Sequence, residues 1–362
     1  MHSSTTAHID LAALRANFAT VRRLCPRSRI MAMVKADAYG HGLLPVAQAL
    51  AAADGLAVAR LEEAMELREA GLTQRILLLG TLLGPADLEV CLQQSIDVTV
   101  HDATSLGVIA SRAARPAVEH QPLRVWLELD AGMHRMGLDP AAFIAADKQL
   151  RDGGGVAELV HMTHFSSADD PDPTALNHQL ARFSDCHAMR LDTQVSLANS
   201  AALTARPDTH GDWVRPGIML YGGGPASVRA AGVRPVMRLV APVLAVRAIA
   251  AGERVGYDGC WTAARPSRIA TIGIGYGDGY PRHAPNGTPV SINGKVAPLV
   301  GRVSMDSIGV DVTDCAVVAA GDEAVLWGPQ LPAADVARPA GTIDYALFTG
   351  VSPRVRRVYA EG

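Results

Sequence analysis

The chain has 362 residues, 49% hydrophobic and 19% charged, with 34 glycines, which suits a globular protein rich in tight turns and long enough for two domains. A formal charge of -3 without a basic block argues against nucleic acid or an anionic membrane surface as partner and leaves small molecules. Five scattered cysteines (Cys25, Cys91, Cys186, Cys260, Cys315) without C-x-x-C spacing argue against a disulfide framework or a zinc site and fit reduced thiols in the cytoplasm.

The first residues, Met1 to Thr6, carry neither a basic nor an apolar signal region, and no apolar run approaches membrane-spanning length. From Asp10 to Leu24, apolar residues at Leu11, Leu14, Phe18, Val21 and Leu24 line one helical face, with Asp10 as N-cap. Arg29 to Val34 then reads as a buried strand ending at Lys35, followed by a polar turn with glycines at Gly40 and Gly42. Helices are expected at Leu43 to Ala53, Leu61 to Ala70, Pro85 to Gln93, from Asp102, Asp139 to Leu150, Thr174 to Met189, and briefly after Asn199. Between them come strands at Gly55 to Ala59, Arg75 to Leu79, Ile96 to Val100, Arg124 to Leu129, Leu159 to Phe165, Gln194 to Ala198 and Trp213 to Leu220.

Eight near-continuous apolar strands alternating with helices indicate an α/β fold, a parallel (β/α)8 barrel, since strands buried on both faces lose polar alternation. An open doubly wound sheet fits the strand count equally well. After Arg234, valine-rich runs at Val236 to Ile249, Ile269 to Ile274, Pro289 to Ile292 and Val296 to Val300 are separated by glycine and proline turns, without obvious long helices. The expected organisation is therefore a barrel over residues 1–230 and a mostly β C-terminal domain over residues 231–362.

A barrel gathers its chemistry at the carboxyl ends of its strands. Here those ends carry Lys35, then Glu128 running into Asp130 to Arg135, then His164, Asn199 with Ser200, and Arg215 before Gly217 and Ile218. A lysine whose charge is disfavoured becomes an amine able to form a Schiff base. With two arginines, a histidine and a serine nearby, the set describes a seat for an anionic aldehyde cofactor such as pyridoxal 5'-phosphate and for a carboxylate substrate.

The nonapeptide Val34 to Gly42 (VKADAYGHG) resembles the cofactor-lysine signature of the alanine racemases. Leu129 to Gly137, Thr163 to Phe165, Asn199 to Ala202, Val214 to Ile218, Ile274 to Arg282 and Gly301 to Asp306 resemble that family in the same order, so the likeness covers nearly the whole chain. It implies a barrel plus a β domain in a head-to-tail homodimer whose active sites borrow residues from the partner's β domain. By resemblance, Lys35 holds the cofactor covalently and serves as one base, and Tyr276 of the partner subunit serves as the opposite base. Inverting a stereocentre needs a proton taken on one face and returned on the other. Arg215 would meet the pyridine nitrogen as a permanent donor, Arg135 the phenolic oxygen, and His164 would sit beside Arg215 and Tyr276. Tyr39, Ser200, Gly217 and Ile218 would hold the phosphate, and Asn199 and Tyr221 join them in the cofactor-binding set. Met305 and Asp306 would line the substrate side.

Two positions depart from the family pattern. Where many relatives carry a carbamylated lysine that orients the arginine, this chain has Glu128, already an anion with two acceptor oxygens on a shorter arm. Activity is therefore expected to be independent of bicarbonate, and a loss of turnover in carbon-dioxide-free buffer overturns that expectation. At Ser352-Pro353-Arg354, proline stands where some relatives use a gate tyrosine, so the access channel is expected to differ. The expected reaction interconverts L- and D-alanine and supplies D-alanine for peptidoglycan. A serine or broad-specificity racemase, a decarboxylase of basic amino acids and a non-catalytic pyridoxal phosphate carrier are the rival readings.

Overall fold

The computed structural model describes residues 4–80, 84–114, 123–188, 190 and 192–361. Eight parallel strands close into a barrel: Arg29–Met33, Gly55–Val58, Arg75–Leu78, Ile96–Val100, Leu123–Leu129, Val156–Thr163, Gln194–Asn199 and Trp213–Arg215. The last strand pairs with the first through Arg29 with Trp213 and Ile30 with Val214. Closure excludes the open-sheet alternative. Strands such as Gly55–Val58 and Ile96–Val100 are buried at every residue, which accounts for their unbroken apolar runs.

Helix positions follow the caps. Asp10 accepts from the Ala13 amide at 2.8 Å to start Leu11–Leu24, and Asp102 accepts from the Ser105 amide at 2.7 Å to start Ala103–Ala113. At the amino ends of the strands, buried Asp97 joins Arg75, Arg124 and the Trp126 indole N–H, and Arg75 also meets both oxygens of Glu158. This plug closes that end, and the cavity opens at the other.

Two sequence expectations change. The strand expected over Trp213 to Leu220 ends at Arg215, because Pro216 has no N–H to continue the ladder; a 3-10 turn, Ile218–Tyr221, follows and stops at Gly222 with φ 76°. Helix Leu43–Ala49 is likewise shorter than expected. Helix Thr174–His187 leaves Met189, its expected last residue, outside the described positions.

The second unit is an eight-stranded sheet whose long strand Met237–Ile249 pairs with Ser267–Ile272 on one stretch and Glu323–Trp327 on another. It also contains Thr6–Asp10, an element absent from the sequence reading. This strand runs antiparallel to Met237–Ile249 and parallel to the last strand, Arg356–Ala360. Only Ala7 and Ile9 of its five residues are buried, too short an alternation to register, and its partners lie over two hundred residues away. Two short helices, Ala333–Ala337 and Asp344–Gly350, lie in the C-terminal part and reach over the barrel mouth. Among the described residues, no helix is long and apolar enough to cross a membrane.

Candidate active site

A cavity of about 960 Å³ opens at the carboxyl ends of the barrel strands. Lys35, Tyr39, Glu128, Arg135 and His164 line one part of it, and Asn199, Ser200, Arg215, Gly217 and Ile218 another. The sequence had named all ten. Four other named residues lie elsewhere: Tyr221 is fully buried behind Tyr39, whereas Tyr276, Met305 and Asp306 are exposed on the C-terminal domain and do not line the cavity.

Lys35 follows the first barrel strand directly, and the backbone then does something unusual. Ala36, Asp37, Ala38 and Tyr39 all take φ between 51° and 55° with positive ψ, a full left-handed turn made without glycine. Each such residue costs roughly 1–2 kcal/mol, so the turn persists only because its surroundings determine it. Glu63 accepts from the Ala36 amide at 2.6 Å, Asp37 accepts from the Leu43 amide at 2.8 Å, and the Ala38 amide donates to the Val34 carbonyl at 2.8 Å. Tyr39 stacks on Tyr221 at 4.8 Å between ring centroids, and the Tyr221 hydroxyl donates to the Met33 carbonyl at 2.9 Å. Tyr221 thus supports Tyr39 from behind.

Burial first, and then the guanidinium charges of Arg135 and Arg215, lower the Lys35 pKa below the usual ammonium range, favouring the free amine. Burial and the cations Arg215, Arg135 and Lys35 push the His164 imidazole down to about 3, so it is neutral at physiological pH. Arg215 is buried and fixed from behind, donating to the Ser196 carbonyl at 2.7 Å, the Ser196 hydroxyl at 2.8 Å and the Thr163 carbonyl at 2.6 Å. Burial raises the Glu128 carboxyl above the usual carboxylate range, although Arg215, His101 and Arg135 pull against that rise. The field left over favours an anion.

At the far wall, the Ser200 hydroxyl oxygen accepts from the Gly217 amide at 2.9 Å and the Met219 amide at 3.3 Å, leaving its proton to donate into the cavity. Tyr39 is held neutral, its pKa raised by burial to about 12, and a Cβ at Gly217 would overlap the Tyr39 hydroxyl. Asn199 lines the wall, but its side-chain oxygen caps the helix Ser200–Ala205 by accepting from the Ala202 amide at 3.0 Å.

Sequence reasoning missed Tyr345, which lines the cavity with its ring 6.1 Å from that of Tyr39. Asp344 accepts from the Gly224 and Tyr345 amides, at 2.7 and 3.0 Å, and so fixes that segment. No spacing signal marks a lone tyrosine in a short helix. The cavity wall thus gains a tyrosine from the C-terminal segment although Pro353 stands at the expected gate position.

His41, behind the stack, is fully buried between Tyr221 and Phe348, with Nδ1 2.9 Å from the Tyr39 carbonyl and a pKa lowered by burial to about 4. A histidine that binds protons less readily when folded contributes full stability above its unfolded pKa near 6.5 and loses it as pH falls toward 4, by about 3 kcal/mol. Urea unfolding at pH 7 and pH 4 is expected to show that loss, and His41→Phe is expected to remove this part of it while the part due to His164 remains.

The chain matches the family models "Alanine racemase, N-terminal domain" over residues 9–225 and "Alanine racemase, C-terminal domain" over residues 236–359. It is 45% identical to an alanine racemase of Shewanella baltica over 98% of this chain and 99% of that one, and 47% identical to one of Chromohalobacter salexigens over 98% and 97%. The structure of the biosynthetic alanine racemase from Pseudomonas aeruginosa superposes with a TM-score of 0.94 at 44% identity, covering 99% of this chain and 100% of that one. That of the Bartonella henselae alanine racemase, described with covalently bound pyridoxal phosphate, gives 0.90 at 32% identity, covering 99% and 100%. With a closed barrel, a following β unit and likeness along its whole length, the chain belongs to the alanine racemase family.

Proposed function

We infer that the chain interconverts L- and D-alanine with pyridoxal 5'-phosphate as cofactor, in the cytoplasm, supplying D-alanine for peptidoglycan. The observation that carries this reading is the amine of Lys35, disfavoured as an ammonium, in one cavity with Arg135, His164 and Arg215. The cavity fits the cofactor. Tyr39, the Ser200 O–H and the close approach at Gly217 offer a phosphate a wall of donors with no side chain in the way, and Arg215 would hold the ring nitrogen. Bound there, pyridoxal phosphate supplies an aldehyde carbon that joins to amines and a conjugated ring that spreads negative charge from the substrate α-carbon.

The protein's part is to orient and to move protons. Lys35 Nζ takes or returns the α-proton on one face. Arg135 orients the anionic groups, and the Glu128 carboxyl in the same cavity offers it acceptor oxygens. His164, kept neutral, adds no further positive charge. The opposite face needs a second base, and we assign it to Tyr276 of the partner subunit in a homodimer. Within one chain Tyr276 is 41% exposed and off the cavity, which supports a second copy as its destination. Its turn is firmly built: the Tyr276 amide donates to the Ser304 carbonyl at 3.0 Å, and Arg354 donates to Asp278 at 2.6 Å and Asp306 at 2.5 Å. Met305 and Asp306 travel with it as substrate-side residues.

The test is turnover of D-alanine, D-serine and D-lysine by protein reconstituted with pyridoxal phosphate, each read by its L-enantiomer, with carbon dioxide release monitored. Selective racemisation of alanine supports the reading. Carbon dioxide release, or cofactor binding without turnover of any substrate, overturns it.

A further inference from the structure

The lysine-bearing turn is gripped from two sides, and one grip comes from the far end of the chain. On the barrel side, Glu63 accepts from the Ala36, Ala59 and Arg60 amides. On the other, Arg357 in the last strand donates from Nε to the Gly40 carbonyl at 2.9 Å and from Nη2 to the Val351 carbonyl at 3.0 Å, and it lies 3.7 Å from the Asp37 carboxylate. Its side chain is only 14% exposed. The same region packs closely on the turn: a Cβ at Gly40 would overlap the Phe348 backbone carbonyl, and one at Gly42, where φ is 96°, would displace the Tyr359 hydroxyl.

We propose that Arg357 is a positioning residue for Lys35. Four consecutive left-handed residues relax toward ordinary conformations unless both ends of the turn are fixed. Glu63 fixes the entry, and Arg357 fixes the exit through the Gly40 carbonyl. A charged donor on a half-buried carbonyl is among the stronger single ties available, and Arg357 shares it with Val351 and Asp37. Releasing the exit frees Tyr39, and with it the wall that faces Gly217, before it disturbs the barrel. The cost therefore falls first on cofactor retention rather than on overall stability.

This inference rests on the cofactor reading above, so the test has an arm that does not use the cofactor. Arg357→Met keeps the aliphatic stem and removes the donors. Arg356→Met, at the exposed neighbouring position, is the control. In apoprotein, amide hydrogen exchange over residues 36–42 is expected to quicken by about 10- to 100-fold in Arg357→Met, with the barrel strands and the last sheet strand as in the control. Absorbance titration with pyridoxal phosphate is expected to show binding weakened by about 10-fold or more. Arg357→Lys, which retains a charged donor, is expected to fall between, and it decides the matter should Arg357→Met not fold. Exchange over 36–42 equal to the control, or acceleration spread evenly through the C-terminal sheet, overturns the proposal. Failure of the native protein to bind pyridoxal phosphate removes the cofactor reading instead and leaves the exchange result to judge the grip alone.

Discussion

Replacement of Lys35 by alanine is expected to lower alanine racemisation by about four orders of magnitude or more, since it removes both the amine that captures the cofactor and one of two bases. Stability should not fall with it. Lys35 is an ammonium disfavoured by burial and by two neighbouring arginines, and removing such a charge relieves the site. Thermal unfolding of the apoprotein is thus expected to move up or stay level while activity vanishes. A small primary amine added to the buffer should restore a measurable part of the rate, because the vacated arm leaves room in a cavity of about 960 Å³. Activity within tenfold of the native protein would falsify the assignment of Lys35.

Tyr276→Phe should cost about two to four orders of magnitude in interconversion, the range of one general acid or base. The informative readout is isotopic. With Lys35 intact, one enantiomer should still exchange its α-hydrogen with deuterated water while the other does not, because only one face retains a base. Mixing Lys35→Ala and Tyr276→Phe chains under conditions that exchange subunits should then restore about a quarter of native turnover: half of randomly formed dimers are mixed, and each mixed dimer carries one complete site. No restoration, with subunit exchange demonstrated, places both residues in one chain and removes the shared site.

Much of this was legible in the sequence because it rests on local pattern. The barrel strands announce themselves as apolar runs, and Asp10 and Asp102 announce the helices that they cap. Residues at strand ends, such as Lys35, Glu128, His164 and Arg215, could be placed at one mouth by topology alone. Tyr345, Glu63 and Arg357 could not. Each acts through a contact set by tertiary packing, and no periodicity ties position 357 to position 40. The strand Thr6–Asp10 was hidden for the same reason. The strand expected beyond Arg215 illustrates the opposite error, an apolar run read as strand although Pro216 and Gly217 interrupt it.

That first strand has a consequence for how the molecule is made. Thr6–Asp10 lies between Met237–Ile249 and Arg356–Ala360, so a strand made before the barrel is paired on both sides by strands made after it. The barrel's neighbouring strands can zip up as they emerge, whereas Thr6–Asp10 waits, unpaired, for partners made more than two hundred residues later. A nascent chain stopped short of Arg356 keeps an open edge beside Thr6–Asp10, a template for mispairing with other chains. Synthesis through Ala360 is thereby built into the fold as a condition for pairing both edges of Thr6–Asp10.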